Sequence, residues 1–239
     1  MKLHNKIAVI TGAGKGIGRA AGQLFLKEGA AVVLNSRTKA DLDSFVKEHQ
    51  NYKEKILTVT GDISNEKVIE QIVKKTIDTF GRIDILVNNA GFGKFSEMVD
   101  STTKDFDDMF GTNVRALYIL TRDFLPYMIK QNEGIIVNIA SIAGKNGVPG
   151  GAIYSAAKHA VMGLSRSLLL EVRKHGVRVI AVCPGSVDTE FFRESPSELT
   201  HSSMITSEDI AGTILYAVTL PPNATVNEIE IRPANPAKK

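Results

Sequence analysis

A single cysteine in 239 residues, Cys183, excludes a disulfide framework, and its apolar surroundings before Pro184 fit a buried structural thiol. No uninterrupted apolar run reaches membrane-spanning length. Met1–Lys6 is followed by only five apolar or small residues before Gly12, which excludes a signal-peptide pattern. A soluble cytoplasmic protein with no membrane partner is therefore expected. Charge of one sign is not in excess either: 29 basic against 26 acidic residues leave a net +3. That balance, without any basic run interleaved with aromatics, argues against a nucleic-acid partner. Internal repeats and low-complexity linkers are absent too, so one domain over 1–239 is expected.

What remains is a globular composition, 43% hydrophobic and 23% charged. Short Val/Ile/Leu-rich runs alternate with amphipathic stretches. Strands are predicted at 7–11, 31–36, 56–61, 85–89, 135–140, 177–183 and 228–231. Near-continuous apolar runs of this kind mark parallel strands buried on both faces. Helices are predicted at 16–28, 39–49, 66–80, 103–111, 114–130, 154–174 and 207–219, with Ser64 and Ser207 as N-caps. The fold class is α/β: a doubly wound, seven-stranded parallel sheet of Rossmann type with helices on both faces. A terminal tail begins at Pro233.

Thr11-Gly12-Ala13-Gly14-Lys15-Gly16-Ile17-Gly18 follows the first strand and opens the first helix. Glycines there let the backbone approach a pyrophosphate, and the free N–H groups at a helix start hold its charge. At the end of the second strand stand Asn35, Ser36 and Arg37, without the carboxylate that selects NAD. Arg37 and Ser36 suit a 2′-phosphate instead, with Lys15 as a second positive charge, so NADP(H) is the expected cofactor. Alternatively, Lys15 and Arg37 are plain solvated cations.

Tyr154 and Lys158 lie four residues apart on one helical face, with Ser141 ending an apolar run upstream. A cation beside the phenol would draw its pKa down from near 10 toward neutrality, making it a useful proton donor.

With these motifs the chain resembles the short-chain dehydrogenase/reductase family over almost its whole length. The resemblance rests on Thr11–Gly18, Asp62, Asn88-Asn89-Ala90-Gly91, Asn113, Ser141, Tyr154, Lys158 and Pro184-Gly185-Ser186-Val187-Asp188-Thr189. It implies that Ser141 polarises a substrate carbonyl, Tyr154 donates a proton, and Lys158 favours the phenolate and holds the nicotinamide ribose. Asn113 would position a water leading from Lys158 to solvent; the alternative is an asparagine satisfying helix backbone. Asp62 would receive the adenine amino group or merely cap a turn. Asn88 is read as a tie between strands. Asn89 would line the adenosine side or share that tying role, and Val187 and Thr189 would bind the carboxamide, unless Thr189 caps a helix. Gly12, Gly14, Gly16, Ile17, Gly18, Ile63, Ala90, Gly91, Pro184 and Gly185 complete the expected cofactor site. No metal ligand is assigned.

The resemblance implies a carbonyl reductase of one of three types: 3-oxoacyl-(acyl-carrier-protein) reductase, 3-hydroxy acid dehydrogenase, or bacterial sepiapterin reductase. The 221–233 ending and Asn35–Thr38 look closer to the latter two. The substrate would be walled by 92–98, 142–152 and a lid at 190–206, whose Phe191, Phe192, Leu199 and Met204 either meet substrate or pack the lid. Were an acyl carrier protein the partner, Lys130, Arg173 and Lys174 would form a basic landing surface beside the cleft. Leu117, Leu120, Leu164, Leu168 and Leu169 are expected either in the monomer core or in a homo-oligomer, a tetramer or dimer. A sensor that keeps the fold without catalysis is the rival class.

Overall fold

The computed structural model describes residues 1–193 and 204–234. Seven strands form one sheet in the order β3-β2-β1-β4-β5-β6-β7, every neighbouring pair parallel. They are β1 (Ile7–Ile10), β2 (Ala31–Ser36), β3 (Ile56–Thr60), β4 (Ile85–Asn88), β5 (Gly134–Ile139), β6 (Val177–Pro184) and β7 (Glu228–Ile231). The helices are α1 (Gly16–Lys27), α2 (Lys39–Glu48), α3 (Glu66–Phe80), α4 (Thr103–Phe110), α5 (Ala116–Gln131), α6 (Ala152–Val172), α7 (Glu190–Arg193) and α8 (Ser207–Val218).

The apolar runs do what a two-sided strand requires. Along β1, Ala8 and Ile10 pack with α1, α2 and α8, while Val9 between them packs with α3 and α5. The same alternation sends Val32 and Leu34 to one face and Val33 to the other. Phe25, Phe45 and Phe124 are fully buried, each contributing about 1.5–3 kcal/mol by area. The order of strand addition reverses between β1 and β4: β2 and β3 extend the sheet one way, β4 to β7 the other. A crevice opens beyond the carboxyl ends of strands at such a reversal.

Three sequence expectations shift. The cap of α3 is Asn65, whose Oδ1 accepts the Lys67 N–H at 3.0 Å, and not Ser64, whose hydroxyl donates to Asp62 Oδ1 at 2.8 Å. Thr206, not Ser207, caps α8, in a reciprocal box with Asp209. The helix predicted at 114–130 is preceded by a wide π turn, Gly111–Arg115, in which the Ala116 N–H reaches back to the Gly111 carbonyl. Leu117 and Leu120 are buried in the monomer core; Leu164, Leu168 and Leu169 are half-buried against it. The outward faces of α5 and α6 carry Tyr118, Tyr127 and Leu170 instead.

Candidate active site

A cavity of about 1080 Å³ fills the crevice, at the upper limit of ordinary small-molecule pockets of about 300–1,000 Å³ and therefore roomy enough for a dinucleotide with a substrate. Every expected site residue lines it except Gly18. Gly18 is buried packing: a Cβ there would lie 2.5 Å from both Asn89 Nδ2 and the Gly12 carbonyl.

The phosphate end is built from backbone. Gly12 and Gly16 hold φ of +63° and +53°, which side-chain-bearing residues rarely adopt. At the start of α1, Lys15 occupies the cap position without any side-chain cap bond, so the first-turn N–H groups are left for an anion. The loop after β4 is clamped onto the glycine loop. Thr11 Oγ1 accepts from the N–H groups of Asn89 (3.1 Å) and Ala90 (3.0 Å), and Asn89 Nδ2 donates to the Thr11 and Gly12 carbonyls. These features together fit a pyrophosphate cradle. Asn88 is the expected structural tie, donating to Thr121 Oγ1 and Asn138 Oδ1. Asn35 ties β2 to β3 through the Val59 and Gly61 carbonyls.

At the adenosine end, Ser36, Arg37, Thr38, Asp62 and Ile63 line the cavity. Asp62 Oδ1 also accepts the Ser64 N–H at 2.9 Å, so the turn-capping reading holds alongside its place in the wall. Lys15 is not the lone second cation the sequence suggested. Its ammonium pairs with Glu190 at 2.9 Å, and that bond and charge raise its pKa. Asp41 and Glu190 also line the wall, although no motif singles them out.

Beyond β5, Ser141, Tyr154 and Lys158 converge. Burial pushes the Tyr154 phenol up to about 12, opposed by its hydrogen bond with Ser141. Lys158 is buried, its ammonium donating to the Ile139 carbonyl at 2.8 Å, and burial pulls its pKa down to about 8. In the protein alone the phenol does not show the expected lowering, because desolvation outweighs its hydrogen bond with Ser141; the Lys158 ammonium lies 5.8 Å from the ring centre. Asn113 projects from the π turn, donating to the Phe92 and Met109 carbonyls, while its buried Oδ1 has no partner among the described residues. That oxygen and Lys158 Nζ both approach Gly91, at 2.4 and 3.5 Å from where its Cβ would stand. Asn113 therefore satisfies backbone and also offers a free acceptor beside the lysine.

Phe95 and Phe191 flank the Tyr154 ring, each with its ring centre 5.6 Å away. Phe191 belongs to both alternatives, since it lines the cavity and packs on the body. Met204 is half-buried; Leu199 and the Phe192 side chain lie outside the described residues. Val187 and Thr189 line the cavity, with Val187 bridged to Ile205 and Thr189 Oγ1 donating to the Val187 carbonyl.

The basic landing surface is misplaced. Lys130, Arg173 and Lys174 sit at the carboxyl ends of α5 and α6, which run antiparallel to the strands. With about 1.5 Å rise per residue, the length of α6 separates Arg173 from Tyr154 by roughly 28 Å, at the opposite edge of the sheet. No helix among the described residues is long and apolar enough to cross a membrane.

Residues 6–200 match the family model for short chain dehydrogenases. An uncharacterized oxidoreductase of Staphylococcus aureus is 36% identical over 231 residues, covering 97% of this chain and 98% of that protein. A 3-oxoacyl-[acyl-carrier-protein] reductase of Thermotoga maritima is 35% identical over 204 residues, covering 85% and 83%. A metagenomic short-chain oxidoreductase, solved in complex with NADP, superposes with a TM-score of 0.86 at 33% identity, covering 98% of this chain and all of its own. Family model, full-length relatives and the sheet with its crevice agree: the chain belongs to the short-chain dehydrogenase family and is a nicotinamide-dependent oxidoreductase.

Proposed function

We propose that the protein uses NADP(H) to interconvert an uncharged ketone and its secondary alcohol, with Tyr154 as the acid in reduction. The observation that carries this is the meeting of Ser141, Tyr154 and Lys158 at one end of a crevice whose other end is a pyrophosphate cradle. Arg37 and Ser36 at the far wall, and the NADP bound by the metagenomic relative, support the phosphorylated cofactor. When bound, the nicotinamide supplies the hydride.

Ser141 Oγ holds the substrate oxygen next to the phenol. Tyr154 gives its proton to that oxygen as negative charge develops on it. The Lys158 ammonium, cationic below about 8, stabilises the phenolate left behind. Asn113 Oδ1 accepts a hydrogen bond from a water that returns the proton by way of Lys158. Burial of Asn113, Tyr154 and Lys158 keeps bulk water from discharging these charges.

The substrate wall is apolar. Around Tyr154 it is made by Phe92, Phe95, Ile142, Val148 and Phe191, and among the described residues it offers no charged group other than Lys158. A carboxylate-bearing 3-hydroxy acid would lie there unpaired, which is costly. A 3-oxo thioester or ester fits, and likeness to the Thermotoga reductase supports that second form. Exposed Tyr118, Tyr127 and Leu170 support a homo-oligomer through α5 and α6.

NADPH oxidation against a panel of ketones, 3-oxo esters, 3-oxo acids and pterins tests the reading. Uncharged ketones and 3-oxo esters should exceed the acids in kcat/KM by at least about tenfold. Preference for the acids would overturn the substrate class, and no turnover of any carbonyl would favour a non-catalytic sensor.

A further inference from the structure

Sequence places two cations, Lys15 and Arg37, at the subsite beyond β2, but the structure sets two anions against them. One is Glu190, paired with Lys15. The other is Asp41, the third residue of α2, which lines both the main cavity and the adjoining groove. A Cβ on Gly14 would lie 2.5 Å from Ser36 Oγ and 2.9 Å from Asp41 Oδ2, so both oxygens border the space of one missing methyl group. The Asp41 carboxylate feels Lys15 through charge alone, and no hydrogen bond to its side chain is found among the described residues. Arg19, another nearby cation, meets Asp41 only at its backbone carbonyl, donates also to the Gly14 carbonyl and spends its second nitrogen on Glu48. The groups facing Asp41 are thus Ser36 and Lys15, with Arg37 and Thr38 on the same wall.

A carboxylate beside Ser36 has opposite effects on two ligands. It repels a 2′-phosphate, and it accepts a hydrogen bond from a free ribose hydroxyl. We propose that Asp41 is a specificity-determining residue that holds back the preference for a 2′-phosphate, so that the adenosine subsite admits NAD(H) as well as NADP(H). The inference rests on the dinucleotide reading of the crevice and not on the identity of the carbonyl substrate.

Half-ligands test it without catalysis. Adenosine 2′,5′-bisphosphate and adenosine 5′-monophosphate are titrated calorimetrically into the unaltered protein, Asp41→Asn and Asp41→Ser at low salt. Loss of one negative charge near the added phosphate should tighten the bisphosphate on the order of tenfold in both variants, and the gain should shrink at high salt. The monophosphate should stay the same or weaken slightly. The variants remove the charge in different shapes, so a folding defect in one, visible in its melting temperature, leaves the other readable. An unchanged ratio of the two dissociation constants overturns the proposal, as does equal tightening of both ligands, which would report a general change in the loop. Failure of the unaltered protein to bind either ligand overturns the dinucleotide reading as well. Binding of both without ketone turnover overturns only the proposed reaction.

Discussion

The Lys158 ammonium lies 5.8 Å from the centre of the Tyr154 ring, one helical turn away, and its proton is directed at the Ile139 carbonyl. The amine is therefore held by the end of β5, with no hydrogen bond to the phenol among the described residues. Position and charge are separable in this arrangement, which makes each testable.

Tyr154→Phe keeps the ring between Phe95 and Phe191 and removes only the hydroxyl that donates the proton. Carbonyl reduction should fall by roughly 10²-fold or more, with dinucleotide affinity unchanged within about twofold. Stopped-flow turnover beside a fluorescence titration of NADPH measures both, and near-normal turnover would remove Tyr154 from the mechanism.

The depressed pKa of Lys158 has a signature in stability. Between about 8 and its ordinary 10.5 the unfolded chain holds a proton that the folded chain has released. This group therefore makes stability rise with pH across that window. Tyr154 acts oppositely above its ordinary 10.0, since up to about 12 the folded chain keeps a proton the unfolded chain has lost. Urea unfolding at several pH values from 7.5 to 9.5 should give a shallower rise for Lys158→Met than for the unaltered protein. Reduction should also decline as pH passes about 8, where the cation is lost; identical slopes would refute the assignment.

Gly18→Ala forces a methyl group against Asn89 Nδ2 and the Gly12 carbonyl. Overpacking of this kind costs about 1–3 kcal/mol. For a chain of this size the melting temperature should fall by about 2–4 °C per kcal/mol. Because Asn89 clamps the glycine loop, dinucleotide affinity should weaken with it. A variant as stable as the parent would show that the loop yields freely.

Phe95→Ala and Phe191→Ala open the two sides of the substrate wall without touching the phosphate cradle. Each should raise KM for an apolar ketone about tenfold, equivalent to about 1.4 kcal/mol, and leave NADPH binding alone. If instead cofactor affinity drops and KM does not, these rings serve to close the crevice.

Much of this was legible in the chain because parallel strands buried on both faces run almost wholly apolar, as Ile7–Ile10 does and as β4 does until Asn88. The glycine loop and the Tyr154–Lys158 spacing were readable since backbone approach and helical reach each demand particular residues. What was hidden depended on distant partners. Asp41 carries no motif, and only folding brings it to Gly14. Lys15 reads as a free cation until Glu190, far along the chain, meets it. The basic residues at 130, 173 and 174 looked adjacent to the cleft because sequence gives a helix its length but not the edge of the sheet on which it ends. The phenol's surroundings were hidden for a related reason: spacing reveals the neighbouring charge, whereas desolvation is set by everything packed around it.

The wide turn at Gly111–Arg115 has an arithmetic consequence. It spends one surplus residue between two otherwise regular helices, so deleting one of the five other than Asn113 would restore even winding. Such a shortening would rewind the segment that carries Asn113 and draw its amide off the lysine's side. Length at this spot, as well as residue identity, sets where that amide stands.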